Sequence, residues 1–167
     1  MRIPRITWSA YGFALAVLVV DQITKFWMIG LDLQEVGRIP LLPPVLNLTW
    51  VENTGSSFGM FSGGSARWAL SFFSIAVAGL LAWWALTAKR RLLITAIGLV
   101  IGGALGNVID RVRLGFVIDF IDFSGTGVFP WVFNVADSAI TVGVVLLLID
   151  SLRSERSAQV GAAVEKS

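Results

Sequence analysis

The sequence predicts an all-α membrane protein, a four-helix transmembrane bundle with a small extracytoplasmic β-sheet and loop. Three observations lead there. Hydrophobic residues make up 56% of the 167 positions and charged residues only 14%, with a mean hydropathy of +0.79. A soluble domain of this size has too much surface for its volume to hide that apolar fraction, whereas lipid acts as solvent for outward-facing side chains. Second, the apolar residues gather into four segments, about 8–30, 68–87, 92–110 and 133–150, each near the ~20 residues that cross a ~30 Å hydrocarbon core as a helix. Third, two of the connections, about 38–66 and 112–130, carry short alternating stretches that read as strands.

The first segment follows Arg2 and Arg5, as a signal peptide would. It is too long for the apolar region of one, contains Asp21 and Lys25, and has no A-x-A cleavage site after the apolar run. It reads as an uncleaved spanning helix. The connection after it holds Pro40, Pro43 and Pro44, then the alternating run Val45 to Val51, then a polar, glycine-containing turn from Asn53 to Gly59. The third helix carries Gly98, Gly102 and Gly106 at four-residue spacing, a small-residue stripe that lets a second helix approach closely in lipid. Phe116 to Phe123 is the second strand candidate, placed to pair with the first. Residues 1–153 form a single membrane-embedded domain, and 154–167, polar and rich in small residues, read as a disordered cytoplasmic tail.

Basic residues orient the bundle. If all four segments span, Arg2, Arg5, Lys89, Arg90, Arg91, Arg153, Arg156 and Lys166 fall on one side, against Arg38, Arg67, Arg111 and Arg113 on the other. The richer side is the cytoplasmic one, so both termini are expected there.

Composition also limits the chemistry. The chain has no cysteine and no histidine, which removes disulfides, thiol nucleophiles, Ser-His triads and ordinary His/Cys metal sites. The net charge of +2 comes from scattered basic residues, not the clustered face that nucleic acid requires. Catalysis must then use carboxylates, amides, hydroxyls, Lys or Arg, and no metal or cofactor is expected.

The polar residues within the apolar segments agree in depth. Lys25, Asn107 and Asp137 each lie four or five residues inside the outer boundary of a different helix, ~6–8 Å deep at a 1.5 Å rise. Asp21 lies one turn deeper on the face of Lys25. Asp119, on the second strand candidate, is placed over the same level. Two neighbouring carboxylates cannot both be ionised, so they share a proton. One then serves as general base on a water while the other donates a proton. Asp119 and Asp137 are the candidate pair, and the apolar neighbours of Asp119 are expected to raise its pKa. Asn53, Asn107 and Asn134 are suited to hold a peptide or orient the carboxylates.

Structural readings stand beside these. Asn134-Val-Ala-Asp137 fits a helix N-cap with an acid at N3, which does not exclude catalysis by the same residue. Asp21 and Lys25 read as a buried structural pair, Asp110 and Arg111 as an interfacial charge pair, and Glu52 and Asp122 as solvated loop charges. Asp119 itself fits the exposed face of an amphipathic strand.

At these residues the chain resembles the bacterial lipoprotein signal peptidases, or signal peptidase II. Five stretches carry the resemblance, in the family's order: Asp21-Gln22-Ile23-Thr24-Lys25; Asn53-Thr54-Gly55-Ser56-Ser57-Phe58-Gly59; Gly102 through Arg111; Val117-Ile118-Asp119-Phe120-Ile121; and Phe133-Asn134-Val135-Ala136-Asp137-Ser138. The resemblance implies an aspartic endopeptidase of the bacterial inner (plasma) membrane that cuts lipid-modified prolipoproteins just before the diacylglyceryl-cysteine. It implies Asp119 and Asp137 as the catalytic pair, with Asp21, Lys25, Asn53, Gly103, Asn107, Arg111 and Asn134 supporting or lining the site. The family commonly has Ala-Ala where this chain has Ser56-Ser57, and both pairs are small. The expected partners are the membrane-embedded substrate and membrane lipids, with the enzyme a monomer. Trp50, Phe58 and Phe61 are expected apolar contacts for the substrate, and the Asn53–Gly59 loop a lid over it.

Two other classes remain as alternatives. A small proton- or ion-coupled transporter would use Asp21, Lys25 and Asp137 as relay groups, but the chain lacks repeated halves and its polar groups lie near one surface. A lipid-headgroup transferase with carboxylate-bound metal would want several acids spaced along one helix, and the third helix offers only Asp110.

Overall fold

The computed structural model describes residues 6–55 and 65–164, with side chains through Arg156. Four long helices form the bundle: α1 (Thr7–Gly30), α3 (Ser65–Ala85), α4 (Arg91–Arg113) and α5 (Val135–Val164). A single-turn α2 (Leu33–Val36) and four strands, β1 (Arg38–Leu42), β2 (Leu46–Asn53), β3 (Val117–Asp122) and β4 (Val132–Phe133), gather at one end. All four long helices are long and apolar enough to cross a membrane. Their outer faces are covered with aromatic and aliphatic side chains, among them Phe26, Trp27, Phe72, Phe73, Trp83 and Leu148, each at least 60% exposed. Apolar exposure on that scale is the outside of a bundle whose solvent is lipid. The protein is a multi-pass membrane protein.

The centre of the bundle is α4, which buries 72% of its apolar stretch while the other three helices bury 17–22%. The glycine stripe allows this. A Cβ added at Gly98 or Gly102 would lie 2.5 Å from the carbonyl oxygens of Ala10 and Ala14, and one at Gly106 would lie 2.6 Å from Asp21 Oδ2. On another face of α4, Gly103 packs against the Ala136 carbonyl of α5, and Gly143 of α5 packs back against Val100. The backbones of α1 and α5 therefore approach α4 closely from two directions, as the small-residue spacing predicts. Ala10, Ala14, Ala78, Ile94, Ile97 and Ile101 fill the core between helices, and the Thr7 and Tyr11 hydroxyls donate to the Ala85 and Ala82 carbonyls of α3 at 3.2 and 3.1 Å.

The sheet is antiparallel in the order β1-β2-β3-β4. Its β2 and β3 coincide with the two alternating stretches, and their pairing sets Val51 opposite Asp119 and Asn53 opposite Val117. Met28, Leu33, Ile118 and Phe120 form a second core beneath it, joined by Trp50 and Val135. β3 is buried on both faces, so Asp119 is not on an exposed strand face.

Two further expectations need correction. Segment 154–164, read as disordered, continues α5 to Val164. Its Ala, Glu, Arg and Gln residues are good helix formers, and no proline interrupts them. Phe133, read as the start of the last helix, belongs to β4, and the helix begins at Val135. The lid expected at Asn53–Gly59 is described only as far as Gly55; Ser56 to Gly59 and Phe61 lie outside the described residues.

Candidate active site

The end of β2 (Asn53), the end of α4 (Asn107), strand β3 (Asp119) and the start of α5 (Asn134, Asp137) meet in one hydrogen-bonded cluster. Asn134 is at its centre and is fully buried. Its Nδ2 donates to Asp119 Oδ1 at 2.6 Å and more distantly to the Ile118 carbonyl and Asn107 Oδ1, both at 3.3 Å. Its Oδ1 accepts from the Asp137 N–H at 2.8 Å, and its own N–H donates to Asp137 Oδ2 at 3.3 Å. That reciprocal pair is the N-terminal cap foreseen from the sequence, and here the cap residue also holds a second carboxylate.

Asp119 is buried. Besides Asn134 it accepts from Asn53 Nδ2 at 2.9 Å. The other side of the Asn53 amide accepts the Gly55 N–H at 2.9 Å, closing an Asx turn in which Gly55 takes a positive φ. Asp137 accepts from Asn107 Nδ2 at 2.8 Å. Among the described residues, both aspartates thus receive their side-chain hydrogen bonds from neutral amides. Burial, and then the negative charge of Asp137, push the Asp119 pKa up to about 6, and the bonds from Asn53 and Asn134 limit the rise.

Beneath the pair lies a buried charge cluster. Lys25 Nζ is 2.9 Å from Asp21 Oδ2 and 2.7 Å from Asp110 Oδ2, and donates to Asn107 Oδ1 at 3.2 Å. The shared depth of Lys25, Asn107 and Asp137 is thus a shared contact. Gly103 has its own place in this arrangement: without a Cβ, α4 closes against Ala136, the residue before Asp137.

Several sequence readings change. Asp110 is not an interfacial partner of Arg111; it is buried against Lys25. Arg111 is half-buried, no described residue hydrogen-bonds its Nε, and it lies in the field of Asp137, Asp110 and Asp119. Asp122 is not a solvated loop charge: it is buried, with Arg38 Nη2 at 2.7 Å, Thr49 Oγ1 at 2.6 Å and the Ser124 N–H at 2.7 Å. Burial opposes its ionisation, but the Ser124 and Thr49 hydrogen bonds and the Arg38 charge outweigh burial and hold its pKa at about 2. Glu52 is exposed, as expected.

Two cavities open beside the pair. One of about 430 Å³ is lined by Asp119 together with Val51 to Gly55, Pro130, Trp131 and Val132. The other, about 270 Å³ and mostly apolar, is lined by Asp137 with Phe129, Phe133, Ser138, Thr141 and Val142. The Phe129–Phe133 segment contributes to both. Trp50 lines neither and packs into the core below the sheet. Trp131, which sequence reasoning missed, lines the Asp119 cavity in its stead.

The sequence profile of the family described as Signal peptidase (SPase) II matches residues 13–153. The chain belongs to the signal peptidase II family. It is 51% identical over 160 residues to a lipoprotein signal peptidase of Caulobacter vibrioides, covering 94% of both chains. To a lipoprotein signal peptidase of Burkholderia mallei it is 42% identical over 152 residues, covering 89% of this chain and 90% of the relative. Two solved bacterial membrane enzyme structures, determined by the in meso method at 1.9 and 2.3 Å, share the fold. They match with TM-scores of 0.76 and 0.74 at 33% and 31% identity, covering 86% and 88% of this chain and 92% and 89% of theirs. A peptidase of this family is built here on four membrane helices, and nothing in the comparisons supports a transporter.

Proposed function

We propose that this chain is an aspartic endopeptidase that removes signal peptides from diacylglyceryl-modified prolipoproteins, cutting before the lipidated cysteine, with Asp119 and Asp137 as the catalytic pair. The observation that carries this reading is the pair of carboxylates from β3 and α5, linked through the Asn107 and Asn134 amides and each opening to its own cavity.

The chemistry follows from the unequal surroundings of the two acids. Asp119, whose pKa is raised, is assigned the proton. Protonated Asp119 donates to the scissile carbonyl oxygen while the Asp137 carboxylate removes a proton from the attacking water. The water oxygen bonds to the carbonyl carbon, giving a tetrahedral intermediate. The proton held by Asp137 then passes to the amide nitrogen as the C–N bond breaks, and the new carboxyl end returns a proton to the pair. Asn53, Asn107 and Asn134 keep both carboxylates aimed through this cycle without adding charge.

The site is read as lying at the outer face of the bacterial inner membrane with both termini cytoplasmic, on the eight-to-four distribution of basic residues. A scissile bond at the end of a membrane-embedded signal peptide would meet the pair at that depth. The apolar cavity on α5 suits the signal-peptide side of the bond, and the cavity at Asp119 suits the residues that follow it. Asp119→Asn and Asp137→Asn are each expected to abolish cleavage of a lipidated prolipoprotein while the protein stays folded. Near-normal turnover by either variant sinks the assignment. A substrate lacking the cysteine lipid is expected to be cut poorly, and equal turnover would remove lipid recognition.

A further inference from the structure

Two hydrogen bonds just outside the aspartate pair have the same form. The Ala136 N–H, immediately before Asp137, donates to Asp21 Oδ1 at 2.9 Å. The Ile118 N–H, immediately before Asp119, donates to Asp110 Oδ2 at 3.2 Å. Strand β4 pairs with β3 only at Ile121 and Asp122. The main chain at Ile118 instead bonds side chains from outside the sheet, its N–H giving to Asp110 and its carbonyl accepting from Asn134.

Asp21 and Asp110 come from different helices and share one cation, Lys25, at 2.9 and 2.7 Å. The Gln22 side-chain amide bridges the same two carboxylates, donating to Asp21 Oδ2 at 3.2 Å and Asp110 Oδ1 at 3.0 Å. Asp21, Lys25 and Asp110 are all buried. A buried ion cluster is seldom more stable than apolar residues of the same volume, because desolvation offsets the Coulomb attraction. What it supplies is geometry: charge-assisted bonds of fixed length to main-chain N–H groups.

We infer that Asp21, Lys25 and Asp110 form one positioning unit, which fixes the separation of Asp119 and Asp137 by holding the main chain one residue ahead of each. The inference rests on the catalytic pair proposed above. Asp21 positions the α5 half and Asp110 the β3 half, and Lys25 ties the halves together. None of the three reaches the reacting atoms.

The test measures kcat and KM of purified full-length variants on a lipidated prolipoprotein, with thermal unfolding recorded alongside. Asp110→Ala removes the acceptor for the Ile118 N–H. It is expected to lower kcat about 10²-fold, the scale of an ~1 Å misplacement, with KM changed less than about threefold because substrate contacts are untouched. Asp110→Asn keeps a carbonyl oxygen for that N–H and is expected to recover most of the rate. A folded Asp110→Ala enzyme with wild-type kcat overturns the inference, as does an Asp110→Asn enzyme equally slow. If Asp110→Ala does not fold, Asp110→Glu replaces it, keeping the charge for Lys25 while displacing the acceptor by one methylene. Lower kcat at unchanged KM and unfolding temperature supports the unit, and wild-type kcat overturns it. Asp119→Asn separates the two readings. Turnover by that variant removes the catalytic pair. An inert Asp119→Asn beside a full-rate Asp110→Ala removes only the positioning unit.

Discussion

Replacing Asn134 by alanine tests the electrostatics of the site directly. The side chain is fully buried, gives its shortest hydrogen bond, 2.6 Å, to Asp119, and accepts the Asp137 N–H at 2.8 Å. Loss of the helix cap costs about 1 kcal/mol of stability. Loss of a hydrogen bond to a charged acceptor removes a further 1.5–3 kcal/mol, roughly. The second loss acts on the ionised form of Asp119 alone. At about 1.4 kcal/mol per pKa unit it raises the Asp119 pKa by roughly one to two units from its starting value near 6. Because the proposed cycle uses protonated Asp119 as the proton donor, kcat/KM is expected to fall as pH rises through that pKa, and the alkaline limb should move upward in the variant. The assay is a profile of kcat/KM against pH on a lipidated substrate, run where unfolding measurements show both proteins folded. An alkaline limb that stays in place, or moves to lower pH, refutes the link between Asn134 and the charge of Asp119.

Three other outcomes follow from the same structure. Asp122 has a folded pKa near 2 against about 3.9 unfolded. Its ionised form therefore contributes about 2–3 kcal/mol above pH ~4, and this is lost as pH falls toward 2. Asp122→Asn should lower stability at neutral pH, measured by denaturant unfolding in detergent, and the gap to wild type should close by about pH 2. Gly103→Ala drives a methyl group into the Ala136 carbonyl. It should cost about 1–3 kcal/mol and lower kcat through displacement of Asp137, and an unaltered unfolding temperature would count against that close packing. Chelators should leave the rate unchanged, because the proposed cycle uses two carboxylates and water; activity restored only by added zinc would revive a metal-dependent reading.

What the sequence makes legible here is mostly what hydropathy and helical geometry control. The spans come from apolar length, and the α1–α4 approach from the glycine stripe. Because rise per residue converts position into depth, Lys25, Asn107 and Asp137 could be placed together before any contact was known. Partners of the remaining charges depend on folding across long separations. Asp122 meets Arg38 from 84 residues away, and Gln22 reaches Asp110 across 88. Neither partner is close in sequence, so Asp122 reads as a solvated loop charge and Asp110 as an interfacial partner of Arg111. For Asp110 a signal did exist: it lies three residues after Asn107 and so shares its helix face, whereas the adjacent Arg111 faces elsewhere. The short α2, β1 and β4 were not legible because elements of two to five residues carry too little periodicity to separate them from turns.

The neutral amides around Asp119 and Asp137 have a consequence for self-restraint. A dyad clamped by arginine or lysine would have its protonation state fixed in advance. One held by asparagines responds to what fills the cavities beside it. The Asp119 pKa of about 6 lies close enough to neutrality for those surroundings to decide whether the proposed pair carries its proton. In the proposed cycle, an apolar signal peptide entering the same space excludes water, favours the protonated acid, and so brings the pair into its working state on arrival. A membrane enzyme surrounded by helices it must not cut then carries its safety catch in the substrate.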